Sequence, residues 1–336
     1  ASPGRHQLRE PGVMAAADIV DRLLEAPVVP SFTRIGYSVR SRLDDWDELD
    51  DYDLSGRVMV VTGATSGLGK AAATQLARCG ATLVLNGRTE EKNEAVRAEI
   101  ESATGNTGLT TVAADMGDLD QVRAMADAVL ERHDRLDVLI HNAGALTNDR
   151  RTAPDGTEAT VASQVVGPFL LTSLLLDRLG SSAPSRVLTM SSGGMYTQGL
   201  TIRKLQMTED DYKGPDQYAR AKRAQVTLNE MWAERLADSG VRFHSLHPGW
   251  AATPGVEDAL PPFNKVLGPL LRTADQGADT LVWLAADDGE PLDTNGGFWL
   301  DRRQRSIHKA PNTRKSDTPE RRNDLWDWVG ETSGID

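Results

Sequence analysis

The sequence predicts an α/β fold: a doubly wound parallel sheet of about seven strands flanked by helices, in a single domain with an N-terminal helical arm. Three observations predict it. From residue 57 onward, short apolar runs alternate with segments of helical spacing. The first of these runs ends in the glycine-rich turn "TGATSGLG", followed directly by a helical stretch. No linker-like or low-complexity stretch divides the chain after residue 56, and 336 residues are enough for one large domain.

Each element follows from local signals. "RVMVVTG" is a short apolar run closed by Thr-Gly, hence a buried strand, and "GKAAATQLARCG" is a helix with a glycine stop. "ATLVLNGR" is the second strand. The helix "TEEKNEAVRAEIESATG" is capped by Thr89 and closed by Gly105. "LTTVAAD" is the third strand, and "DLDQVRAMADAVLERHD" is a helix with Asp118 as its N-cap. "LDVLIHNAG", "RVLTMSS", "VRFHSLHPG" and "GGFWL" supply strands four to seven. Between them lie a long helix over about 155–179, a helix carrying Tyr218 and Lys222, and a helix over about 274–286.

The domain spans residues 56–300, between an arm with an acidic linker (1–55) and a tail (301–336). "MAAADIVDRLLEAP" has helical spacing at Ile19, Leu23 and Leu24, and Met14 is the expected natural start. "FTRIGYSVRSRLDDW" mixes apolar and basic residues, and "DDWDELDDYD" reads as a solvated linker. The arm is expected to pack on its own domain; the alternative is a helix that meets a membrane surface or a partner. Trp326 and Trp328 of the tail are expected to pack back on the body.

Composition narrows the function. The net charge is -12, which disfavours general attraction to nucleic acid or to an anionic membrane. Cys79 is the single cysteine, so no internal disulfide forms and no CxxC motif exists. The histidines form no HExxH, and His244 and His247, three apart in a strand, should face opposite ways; no metal site is expected. No run approaches the ~20 apolar residues of a transmembrane helix, and the opening "ASPGRHQLREPG" has no apolar signal-peptide core. A soluble, cytoplasmic protein is expected.

The glycine turn lies at the first strand–helix junction, where a dinucleotide pyrophosphate binds in a fold of this kind. Gly63 turns the strand, Gly67 permits close approach of the phosphates and Gly69 lets the helix pack on the strand. Thr65, Ser66 and Leu68 complete the loop. The second strand ends "LNGRTE" with no acid at its tip and with Arg88 just beyond, which suits a 2′-phosphate and favours NADP(H) over NAD(H). Tyr218 and Lys222 are four apart on a helix, so a phenol and an ammonium share one face.

In this order, TGxxxGxG at 62–69, Asp115 after the third strand, "NAG" at 142–144, "SS" at 191–192, YxxxK at 218–222 and "PG" at 248–249 resemble the short-chain dehydrogenase/reductase family over about residues 56–300. The resemblance implies a Rossmann-type sheet and an oxidoreductase. It makes Tyr218 the general acid of carbonyl reduction, Lys222 its electrostatic partner and a hold on the nicotinamide ribose, and Ser192 the residue that polarises the substrate carbonyl. The phenol, ordinarily near pKa 10, is expected to be drawn toward neutrality by Lys222 and the oxidised nicotinamide. Asp115 and Met116 would meet the adenine end. Asn142, Ala143 and Gly144 would line the cofactor, as would Pro248, Gly249 and Thr253. The family's relay Asn is replaced by Gln164.

An insertion over "GGMYTQGLTIRKLQMTEDDYKGPD" suggests a substrate wall with Met195, Tyr196 and Met207. The greasy stretch after the sixth strand adds Trp250, Val256, Leu260, Phe263, Val266, Leu267 and Leu270. The expected substrate is a small hydrophobic carbonyl compound or alcohol. Two other readings stand beside this one: an NADP-binding sensor or scaffold with little turnover, and a nucleotide-sugar epimerase or dehydratase. The family resemblance also implies a homodimer or homotetramer paired through the helices of Gln164 and Tyr218, although a member of this branch could be monomeric.

Overall fold

The computed structural model describes residues 16–25, 27–252, 265 and 267–335. Its eight-stranded sheet has the order β3-β2-β1-β4-β5-β6-β7-β8. The strands are β1 (Val58–Val61), β2 (Thr82–Gly87), β3 (Leu109–Ala113), β4 (Val138–His141), β5 (Ser185–Met190), β6 (Val241–Leu246), β7 (Phe298–Leu300) and β8 (Arg303–Gln304). The first seven run parallel, with Val60 flanked by Val84 and Leu139 in register, and β8 is antiparallel to β7. Chain order reverses between β1 and β4, so a crevice opens at their C-terminal ends, where doubly wound sheets bind ligands. All seven expected strands are present. β8 gave no apolar signal, being a two-residue return after Asp301 and Arg302, which both hold φ near +50°.

Helices cover both faces: α4 (Gly67–Arg78), α5 (Glu90–Thr104), α6 (Leu119–Arg132), α7 (Ala159–Ser181), α8 (Gly214–Arg235) and α9 (Ala274–Ala286), counted after the arm helices α1 (Ala16–Glu25), α2 (Val28–Phe32) and α3 (Arg34–Leu43). Asp118 caps α6 by accepting from the N–H groups of Asp120 and Gln121. Thr89 precedes α5 without a side-chain cap bond, while Gly105 ends that helix in the left-handed conformation. One face packs Met59, Leu83 and Ile140 against α4 and α9, and the other packs Val60, Val84 and Leu139 against α6 and α7.

The expectation that no apolar run reaches membrane-spanning length needs correction. Helix α7 is long and apolar enough by composition, but 72% of its most apolar window is buried inside this body, where Leu170, Leu171, Leu175 and Leu179 pack on the sheet. Each such side chain contributes about 1.5–3 kcal/mol by leaving water, the reward of a core helix.

Both flanks pack on the domain. In the arm, Arg40 is fully buried and bonds Asp21 (2.7 Å) and Asp301 (2.6 Å). The acidic linker is tied down: Asp44 pairs with Arg303, Trp46 faces the Arg302 guanidinium and Tyr52 donates to Asp287. Helix α10 (Pro319–Ser333) buries Leu325 and Val329 against α7 and α8, and Trp326 meets Phe169 and Trp232. Any pairing through α7 and α8 must therefore accommodate this helix.

Candidate active site

The glycine loop forms the floor of the crevice. Gly63 holds φ +66°, and a side chain there would strike the backbone of Ala143. A Cβ on Gly69 would lie 2.3 Å from the carbonyl oxygen of Gly63, so only glycine lets α4 start this close to β1. Asn142 stitches β4 to the loop, its amide donating to the carbonyls of Thr62 (3.0 Å) and Gly63 (3.2 Å). Thr62 Oγ1 accepts from the N–H groups of Asn142 and Ala143. Asn142 thus acts through its bonds to the loop, and Ala143 and Gly144 border the crevice.

A dinucleotide fits these residues. Helix α4 begins after an exposed Ser66 whose side chain makes no capping bond, so its first N–H groups face outward from part-buried Gly67 and Leu68. Thr65 packs against Gly87, and Arg88 stands exposed at the end of β2. Asp115 Oδ1 accepts from Gly117 N–H (2.8 Å) and remains part-exposed, whereas the Met116 side chain is buried in the core under α6 and α7. Met116 can therefore meet a ligand only through its backbone.

The chemical residues meet at the ends of β5 and β6 and along α8. Ser192, N-cap of the 3-10 turn Gly193–Thr197, accepts from Gly194 N–H and stands near enough to Tyr218 to favour its phenolate. Burial pushes the Tyr218 phenol up to about 12, and the neighbouring Ser192 draws it down only in part. Lys222 lies 5.3 Å from the centre of the Tyr218 ring and donates to the Met190 carbonyl (2.9 Å). Burial lowers its ammonium to about 7. The expected lowering of the phenol by Lys222 is thus not supplied by the protein's own charges: desolvation acts on both groups and favours their neutral forms.

Gln164 sits in a π-helical stretch, Ala162–Val166, within α7. Its Nε2 donates to the Ala145 carbonyl (2.8 Å), and it packs so closely on Gly144 that a Cβ there would lie 2.9 Å from its Cδ. The π-turn aims the side chain at the crevice-lining 142–145 segment.

On the substrate side the outcome is mixed. Trp250 is part-buried and edge-on to Phe32 of the arm. Met195 is fully buried and Tyr196 nearly so, its hydroxyl donating to the Ser306 carbonyl. The insertion turns both inward as a 3-10 turn, so they belong to the core; Met207 is buried too. Thr253, Val256, Leu260, Phe263 and Val266 lie outside the described residues. Gly249, at φ +74°, leaves room for the Arg272 guanidinium, which also reaches the Pro248 carbonyl.

Residues 57–261 match the family profile of the short chain dehydrogenases. The chain belongs to the short-chain dehydrogenase/reductase family. Among this dehydrogenase's relatives, dehydrogenase/reductase SDR family member 12 of Homo sapiens is 38% identical over 278 residues, 82% of this chain and 86% of that protein. Retinol dehydrogenase 12 of Homo sapiens is 33% identical over 285 residues, 84% of this chain and 88% of that one. A solved protein from Mycobacterium paratuberculosis superposes with a TM-score of 0.68 at 26% identity, covering 87% of this chain and 98% of that one. A Burkholderia cenocepacia short chain dehydrogenase in complex with NADP gives 0.59 at 25%, covering 73% and 96%. The dehydrogenase is thus an oxidoreductase of a family acting on CH–OH and carbonyl groups.

Sequence reasoning missed the support of this site. His247 Nδ1 accepts from Gly193 N–H (3.1 Å), next to Ser192, and its ring meets Phe32 at 4.3 Å. His244 points the other way, between Trp299 and Pro291, as the strand period requires. The motif "HPG" was the available signal for His247, but nothing local announces that Phe32 comes from the arm.

Three buried histidines are expected to make the protein less stable in acid. Desolvation lowers His141 and His247 to about 3 and His244 to about 4. All three stay neutral in the folded state, while the unfolded chain takes up their protons below ~6.5. Stability is therefore expected to fall as pH drops from 6.5 toward 4, by up to about 4 kcal/mol per pH unit if all three contribute. Urea unfolding at pH 7, 6 and 5 measures this; uptake of less than one proton on unfolding at pH 5 would contradict it.

Proposed function

We propose that the protein is an NADP(H)-dependent oxidoreductase that interconverts a hydrophobic alcohol and its ketone or aldehyde by hydride transfer, with Tyr218 as general acid/base. The observation that carries this reading is the grouping of Ser192, Tyr218 and Lys222 at the same crevice as an outward-facing helix N-terminus. The bound nicotinamide would supply or accept the hydride. Ser192 holds and polarises the substrate oxygen, and Tyr218 gives it a proton in reduction or takes one in oxidation. A phenol pushed up to about 12 keeps its proton at neutral pH, the state that carbonyl reduction consumes. Lys222 holds the ribose side of the site. Trp250 supports an apolar substrate, in keeping with relatives named as retinol dehydrogenases.

Arg88 supports a preference for NADP(H), as do solved relatives that hold NADP. The reading is tested by NADPH consumption with a panel of hydrophobic aldehydes and ketones, and by dissociation constants for NADPH and NADH. Arg88→Ala is expected to weaken NADPH binding about 10- to 100-fold, the worth of a charged hydrogen bond, and to leave NADH nearly unchanged. An unchanged ratio of the two would overturn the preference.

A further inference from the structure

Behind Gln164 lies a partly open pocket with about 30 Å³ of space, lined by His141, Gln164, Thr172, Gln225 and Asn229 together with apolar side chains such as Phe169 and Trp232. His141, Gln164, Gln225 and Asn229 are each at least 95% buried. Five of their polar atoms find no hydrogen-bond partner within the protein: His141 Nδ1, Gln164 Oε1, Gln225 Oε1 and both Oδ1 and Nδ2 of Asn229. Four buried amide and imidazole side chains, each with an unpaired polar atom, around one small space is not what a dry core tolerates.

The orientations of the groups are constrained. Gln164 Nε2 is committed to the Ala145 carbonyl, which leaves Oε1, close to Gly144, unpaired and able only to accept. His141 Nε2 faces Thr172 Oγ1 at 2.8 Å, which leaves Nδ1 as an acceptor when Nε2 carries the ring proton. Burial keeps that imidazole neutral. The walls then present four acceptors without donors and one amide N–H2 without acceptors. Two water molecules supply four O–H donors and lone pairs for the amide. A space of this size holds about two waters, at roughly 10–15 Å³ each.

We infer that this cavity is a built site for two ordered waters, and that Asn229, Gln225 and His141 act through them as positioning residues for Gln164. The glutamine is one methylene longer than the usual asparagine, so its amide can span from the 142–145 segment to this water pair. Clamped by Ala145 on one side and by water on the other, Gln164 holds a single orientation against Gly144, beside the reacting centre. The placing of Gln164 in the reaction rests on the proposed function; the water site does not.

The test uses the full chain. A high-resolution crystal structure, with water–amide cross-relaxation by NMR in solution, is expected to find two waters within hydrogen-bond distance of Gln164 Oε1 and Asn229. A dry cavity overturns the inference whatever the enzyme's activity. Asn229→Leu, an apolar near-isostere, is expected to expel the waters and lower kcat about tenfold while KM for NADPH stays within twofold; Asn229→Ser, which readmits water, is expected to restore most of it. Should Asn229→Leu not fold, Gln225→Met serves with the same readouts. Waters lost with kcat unchanged would overturn the positioning role. If no substrate turns over, the mobility of the Gln164 side-chain amide by NMR, expected to rise in Asn229→Leu, replaces kcat, and an unchanged amide signal overturns that role.

Discussion

Tyr218→Phe is expected to reduce NADPH-dependent carbonyl reduction by about 10²- to 10⁴-fold while leaving NADPH binding within a few-fold, the effect of removing a positioned general acid. The substitution deletes one oxygen. The ring stays on α8 between Ser192 and Lys222, so loss of turnover with tight cofactor binding isolates proton transfer from folding. Residual rate should no longer depend on pH through this group. Wild-type rates in the variant would mean that another group delivers the proton. Tight NADPH binding by a wild type that turns over no carbonyl compound would instead favour a binding protein with little turnover.

The second large effect is expected in the buried ion cluster that locks the arm to the domain. Asp301 is fully buried and accepts from Arg40 (2.6 Å) and from Arg272 (2.5 and 2.9 Å), both likewise buried. Those guanidiniums hold its carboxyl below the usual carboxylate range, against a desolvation that acts to raise it. Asp301→Asn keeps the shape but leaves buried Arg272 without a carboxylate partner and Arg40 with only Asp21 and Glu25, and a cost of about 3–5 kcal/mol is expected. The damage should also reach the site. Arg272 Nε bonds the Phe32 carbonyl (3.1 Å), the same carbonyl accepts from Trp250 N–H (2.6 Å), and Phe32 packs on His247 beside Ser192. Denaturant unfolding measures the first effect and proteolysis between residues 16 and 56 the second. A loss below 1 kcal/mol with the arm still protected would show that packing alone secures it.

How much of this was legible follows the range of the interactions. Strand and helix identities were readable because sheet burial writes apolar runs and helix burial writes helical spacing, both within about a dozen residues. The glycine loop was readable for the same reason: Gly63 and Gly69 are demanded by backbone contacts that no side chain escapes. The insertion misled, because Met195 and Tyr196 suit a ligand pocket and a core equally well, and only their neighbours decide between the two.

By itself, then, the sequence determined the alternating architecture and the place of the crevice at the first strand–helix junction, and it pointed to Ser192, Tyr218 and Lys222 as candidates that the fold brings together. All of these depend on short-range patterns that recur in a set order. The tertiary structure alone decided that Arg40 and Arg272 share Asp301, that Phe32 braces His247, that α10 covers α7 and α8, and that Gln164 and Asn229 line one pocket. Those contacts join residues from 29 to 261 positions apart. Burial makes them strong, but a buried charge or amide leaves no periodic trace in the chain, so its partner is found only when the chain is folded.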